Sequence, residues 1–187
     1  NWYRVELIVF ENLYPDTGGE LWNKYPGLPD NESSVELIRG QEGDTPGVIA
    51  FQTLDKSMLT LTGTYSSLRK SSQYQPLGYL AWQQPSLNGS RSRAIKVNIN
   101  NENNELVING NLKIRSSLYL HVDVDLAYFI QGIQGIGLET LENNLMAGDA
   151  ENTVTRLTET RRIRLNEIHY FDHPLFGAIV RVVRLDS

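Results

Sequence analysis

Apolar and polar residues alternate with period two over much of this chain, which predicts strands. Residues 2–11, WYRVELIVFE, set Tyr3, Val5, Leu7 and Val9 against Trp2, Arg4, Glu6 and Ile8. The far end is apolar on both faces, so this strand is expected to be covered on two sides and central in a sheet. Residues 76–84 and 93–99 resume an extended pattern. Between 105 and 129 the alternation predicts a hairpin. Leu106, Ile108, Gly110, Leu112 and Ile114 form one apolar row, and Leu118, Leu120, Val122, Val124 and Leu126 the other. Matching the two rows pairs Ile114 with Leu118 around Arg115-Ser116-Ser117 and sets Gly110 opposite Val122, as if another element approached there. From Thr153 the β pattern runs to the C-terminus. Its last part, Arg161 to Leu185, reads as a second hairpin broken by Asp172-His173-Pro174. Asp172 is expected to close that turn with its carboxylate, and Gly177 to supply a backbone angle that other residues resist.

One stretch has the helical period instead. Leu54, Met58, Leu61, Tyr65 and Leu68 recur at steps of four and three, which predicts a helix over about 54–72. Gly63 within it costs about 1 kcal/mol against alanine, while Arg69 and Lys70 suit the dipole of the last turn. Residues 12–52 hold four of the seven prolines and six glycines and read as a long irregular segment anchored by Trp22 and Tyr25. It is expected to form short helical turns or a mobile binding arm. Residues 131–152 are a glycine-bearing connection in which Leu138, Leu141 and Leu145 hint at a short helix. The order predicts an α+β fold, mainly an antiparallel β-sheet with one principal helix packed on one face, as a single domain over 1–187.

Charge adds an asymmetry. Across the 187 residues, 17 basic and 22 acidic side chains leave −5, which disfavours a nucleic-acid binder. Residues 161–185 nevertheless carry five arginines against Glu167 and Asp172, about +3, while residues 11–44 carry about −6. An anionic ligand would prefer the first region. There is no cysteine, hence no disulfide and no thiolate metal site. No apolar run reaches the roughly 18 residues that span a bilayer. A start at Asn1 without methionine is read as a processed or trimmed product, a hint of export and not evidence of it.

Reactive constellations are sparse. His169, Asp172 and His173, with His121, resemble a metal set, but along a strand the first and last of the turn residues lie ~13 Å apart. A turn-capping His173 and a locally bonded His169 are the plainer account, and no metal is expected. No nucleophile elbow, phosphate loop or dinucleotide fingerprint is present, so neither catalytic residues nor a cofactor is expected. Asp123 and Asp125 share a strand face at ~6–7 Å, between the spacings of the two glycosidase classes, and fit a solvated sheet face better. Recognition remains. Trp82, Tyr119 and Tyr170 offer flat apolar faces, although Trp82 suits the core equally well. Arg161, Arg162 and Arg164 offer rigid forks for carboxylates.

Several scattered stretches are similar to one family. They are Trp2-Tyr3 with Val9-Phe10-Glu11, Leu68 with Tyr74, Pro76 and Leu77, and Trp82 with Gln84. Gly110-Asn111-Leu112, Tyr119-Leu120-His121, Arg161-Arg162 and the closing HYFDHPLFG of 169–177 complete the set. The chain resembles the CsiV family, periplasmic peptidoglycan-binding proteins of gammaproteobacteria named for cell-shape integrity. The resemblance implies a signal peptide already removed, a periplasmic location, peptidoglycan as ligand and no enzymatic activity. It also implies a role in cell-wall synthesis through a lipoprotein activator of a bifunctional synthase, a class A penicillin-binding protein. Tyr79 departs from the pattern, where a histidine is expected. The expected function is thus a non-catalytic binder whose basic hairpin meets the carboxylates of the wall polymer. The alternative is a periplasmic protein–protein adaptor, docking through 12–52, with only indirect wall association.

Overall fold

The computed structural model describes residues 1–16, 26–133, 143 and 154–185. Its organising strand is β1 (Trp2–Asn12), the middle of a five-stranded antiparallel sheet ordered β2-β3-β1-β9-β8. The partners are β2 (Gln52–Thr53), β3 (Tyr74–Pro85), β8 (Ile168–Asp172) and β9 (Phe176–Leu185). We call this sheet A. Sheet B has four strands in the order β4-β5-β6-β7, namely β4 (Ala94–Asn100), β5 (Leu106–Ser116), β6 (Leu120–Ile133) and β7 (Val154–Ile163). Among the described residues the expected antiparallel sheet with its principal helix is present, and it is divided into two layers packed face to face.

The division follows from where the apolar rows find cover. Val5, Leu7, Val9, Trp82, Val180 and Val182 from sheet A meet Ile95, Val97, Leu112, Val122, Val124 and Leu126 from sheet B in one continuous core. Each such fully enclosed side chain contributes about 2 kcal/mol. The other face of β1 is buried too: Ile8 and Phe10 join Ile179 and Leu61 beneath Tyr65 and Leu68 of α1 (Thr62–Lys70). The order is therefore helix, sheet A, sheet B.

The helix is half as long as its periodicity suggests, because its first turns are claimed by other partners. The Leu54 amide donates to Ala81 of β3. Asp55 caps a single 3₁₀ turn over Lys56–Met58. The Thr60 and Leu61 amides then donate to the carboxylate of Glu6, which rises from β1. With no capping side chain of its own, α1 starts against this carboxylate.

The β5–β6 hairpin keeps its expected faces but shifts by four residues. Ile114 pairs with Val122 and Gly110 with Leu126, and the loop is Ser117-Leu118-Tyr119. Arg115 stays in the strand because its guanidinium grips Asp123, and the Ser116 amide is held by Leu87. Leu118 is left 93% exposed at the tip. Gly110 does mark a close approach, by β6 itself: a Cβ there would lie 2.1 Å from the Asp125 carbonyl oxygen.

The C-terminal ribbon is also rearranged. β7 ends at Ile163, and a turn with Asn166 at φ 67° carries the chain from sheet B to β8 of sheet A. Only β8 and β9 form the hairpin. Its turn is closed by reciprocal backbone bonds between His173 and Phe176, not by the Asp172 carboxylate. Gly177 adopts no left-handed angle. It is needed because a Cβ would stand 2.4 Å from the Phe10 ring.

Residues 26–53 are a strap tied to both sheets. Leu28 packs on Ala127, Phe129 and Val154, Asn31 bonds to Asn109 and Asn111, and Val35 and Ile38 form bridges to Ile95 and Gln52. The expected anchors Trp22 and Tyr25, and the leucines at 138, 141 and 145, lie outside the described residues.

Candidate functional site

The ten residues singled out by sequence fall into four places. Trp82 is fully buried in the core, its indole N–H donating to Gln84. Its ring offers no surface to a ligand.

Tyr119, His121 and Arg162 meet on the outer face of sheet B. The Arg162 guanidinium stacks 3.2 Å from the centre of the half-exposed Tyr119 ring, and His121 is paired in register with both Arg115 and Arg162. The same face carries ion pairs. Asp123 accepts from Arg115 and Thr160, and Asp125 accepts from Arg156 and Thr158. The Asp123 carboxyl lies below its usual range; burial pushes it up, but the bonds from Arg115 and Thr160 outweigh that.

Arg161, Arg164 and His169 sit at the seam between the sheets. Arg161 faces inward, pairs with Glu159, donates to the Tyr170 carbonyl and lies over Phe171. It is a strut joining the edges β7 and β8. Arg164 pairs loosely with Glu167 in the turn, and His169 turns back to the Arg164 backbone. With Arg181 donating to Thr60, the arginines at 161, 162, 164 and 181 have different partners in different surroundings. The three histidines lie on three different elements, and among the described residues no three metal-binding side chains converge.

Tyr170, Asp172 and His173 line a cleft of about 450 Å³ on the outer face of sheet A, beyond the end of α1. Here the structure adds residues that sequence reasoning missed. Phe10 is the floor, with the Tyr74 ring edge-on and the Tyr170 ring tilted against it, each 5.5 Å centre to centre. Tyr14, 74% exposed, and Gln73 complete the rim. Asn12 braces it by donating to the Pro174 carbonyl and accepting from the Tyr14 amide. Tyr14 carried a usable signal, an aromatic residue placed just after a strand in a polar turn, NLYPD.

The polar groups of the cleft are hydrogen-bond donors and acceptors suited to recognition. Burial, aided by Asp172 and Tyr74, pushes the Tyr170 hydroxyl up to about 12, so it remains a donor at physiological pH. Among the described residues the side-chain polar atoms of Tyr74, Tyr170, Gln73 and Asp172 have no hydrogen-bond partner within the chain. His173 serves the scaffold. Its Nδ1 accepts from the Leu175 amide, which leaves the proton on Nε2, facing Thr155 at 2.9 Å. Burial lowers its pKa against an opposing pull from Asp172.

A larger apolar groove of about 580 Å³ runs between α1 and β3, lined by Leu54, Leu59, Tyr65 and Leu80. Its one phenol of interest, Tyr79, is already committed: the hydroxyl donates to Glu6 and accepts from the Leu61 amide. Where a histidine was expected, this chain uses a tyrosine to hold a buried carboxylate.

The family described as peptidoglycan-binding protein, CsiV, matches residues 1–185, and the chain belongs to that family. No curated protein and no solved structure matches it. Among the described residues no helix is long and apolar enough to cross a membrane.

Proposed function

We propose that this member of the CsiV family binds peptidoglycan directly, without cleaving it, through the aromatic cleft at the end of sheet A. Family membership supports the ligand. The observation that carries the site is the convergence of uncommitted polar groups, Tyr74, Tyr170, Gln73 and Asp172, on an aromatic floor. Such a floor with few placed donors and acceptors suits a small polar ligand. Binding without cleavage agrees with the setting of Asp172. A glycosidase's general acid needs an apolar pocket that keeps its proton, and Asp172 is open to solvent.

The location that follows is the periplasm, with export of a precursor. There the protein supports wall synthesis and cell shape by bringing the polymer to a lipoprotein activator of a class A penicillin-binding protein. The adaptor alternative, in which 12–52 docks a partner as a free arm, has less support, because residues 26–53 are bonded into both sheets.

Sedimentation with purified, protein-free sacculi tests the proposal. The protein is expected in the pellet, with no soluble fragments after overnight incubation. Protein that stays in the supernatant at low salt overturns direct binding and leaves indirect association through a partner. Released muropeptides overturn the non-catalytic part.

A further inference from the structure

We infer that the cleft takes the glycan strand of the polymer, as a short run of uncharged N-acetylated sugar rings, rather than the carboxylates of its peptides. The inference rests on the peptidoglycan reading above and names the part that is held. Three observations support it. The floor is aromatic: Phe10, Tyr74 and Tyr170 are fixed against one another, and an exposed tyrosine face suits the axial C–H face of a sugar. The uncommitted groups suit hydroxyls and acetamides. Asp172 accepts from sugar hydroxyls, the Tyr170 hydroxyl donates, and the Gln73 amide does both. The charge is wrong for an anion. Among the described residues no lysine or arginine lines the cleft, whereas the carboxylate of Asp172 does. A peptide carboxylate placed there would meet like charge.

The arginines do not reverse this. Arg161, which donates to the Tyr170 carbonyl, is held by Glu159 as well, with its guanidinium over Phe171.

The test uses the intact chain and two probes, N-acetylated chitotetraose and a free stem tetrapeptide. Binding is followed by NMR and calorimetry, with sacculus sedimentation in parallel. Chitotetraose is expected to shift resonances of Tyr14, Gln73 and Tyr170. Its affinity should hold between low and high salt, since no ion pair is formed. Tyr170→Ala should weaken it about tenfold, the loss of one stacked face and one donor. Tyr170→Phe retains the packing on Phe10 and should lose only about threefold, which separates recognition from folding. Asp172→Asn should weaken the sugar several-fold without admitting the tetrapeptide. If chitotetraose leaves the cleft resonances unmoved while the protein still pellets with sacculi, the glycan assignment fails and peptidoglycan binding stands. Tetrapeptide binding in the cleft likewise overturns it. Loss of sacculus binding as well removes the underlying reading.

Discussion

The outer face of sheet B and the cleft at the end of sheet A are both rich in polar side chains, yet they are built on opposite terms. On sheet B the carboxylates answer to neighbours: Asp123 to Arg115 and Thr160, Asp125 to Arg156 and Thr158. Asn98, Asn109, Asn111 and Asn31 form a ladder that pins the strap. In the cleft, Tyr74, Tyr170, Gln73 and Asp172 converge without bonding one another. A hydrogen bond already made within the chain contributes about 1 kcal/mol and is costly to disturb. A group left facing solvent can accept a ligand in exchange for water. Polarity alone therefore does not single out the proposed binding surface; the lack of internal partners does.

Glu6 is the extreme of the committed class, and it gives the largest expected effect. It is fully buried and bonded by Thr60, by the Leu61 amide and by Tyr79, with Arg4 3.4 Å away. Burial pushes its carboxyl up, but the hydrogen bonds win and hold it below the usual range. Glu6→Gln should cost about 3 kcal/mol and lower the thermal midpoint by roughly 8 °C, with sacculus binding of the folded fraction intact. A carboxylate with a depressed folded pKa contributes stability above its ordinary pKa and loses it as the pH falls through the folded value. The gap between wild type and Glu6→Gln should thus close on acidification below about pH 4. A gap that persists there would mean that packing, not the charge, holds the start of α1.

Asp125→Ala tests sheet B on the same terms with a smaller expected loss. It removes the carboxylate partner of Arg156, which keeps its bond to the Pro26 carbonyl, and both side chains have some contact with water, so the cost should be about 1.5 kcal/mol by denaturant melt. Sugar and sacculus binding should not change. A binding defect at full stability would show that this face touches the ligand after all.

Which parts of this were legible follows from how local their causes are. β1 was legible because its alternation and its two apolar faces lie within ten residues. The faces of β5 and β6 were legible from parity alone. Their register was not, since a shift of four keeps every side chain on its face. What decides it is the Arg115–Asp123 pair, a contact across strands. The early part of the helical pattern misled because Leu54, Thr60 and Leu61 give their amides to β3 and β1, elements distant in the chain. The site divides likewise. Tyr170, Asp172 and His173 stood out beside a turn that local chemistry announces. Phe10, Tyr14 and Tyr74 join them only because β1 separates β3 from β9 in one sheet, an arrangement that no local pattern encodes.

His173 stands at the border of the two classes, lining the cleft while bonded to the scaffold. Its folded pKa is depressed, so the folded state prefers the neutral ring. The stability it contributes is present above the ordinary histidine value and is lost as the pH falls from there toward the folded pKa. Denaturant melts between pH 7.5 and 5.5 should show wild type weakening on acidification, and His173→Gln should flatten part of that slope. If the slope is unchanged, protonating His173 does not oppose folding, and acceptance by its Nδ1 from the Leu175 amide does not hold the ring neutral.

The smallest effect is expected at Arg162, and it weighs the cleft against the basic ribbon most directly. Arg162 is the ribbon arginine that reaches the outer face of sheet B, where it covers Tyr119. That contact is exposed and worth about 0.5–1 kcal/mol. Arg162→Glu should therefore barely alter the melt. If the cleft carries recognition, sacculus binding should change by less than about twofold and keep the same dependence on salt, because the reversed charge lies on the other sheet. A ribbon that grips peptide carboxylates requires the contrary: weaker binding at low salt, and a flatter salt dependence, since one attractive charge would be gone. Such a result would move the binding surface from the aromatic floor of sheet A to Tyr119, His121 and Arg162.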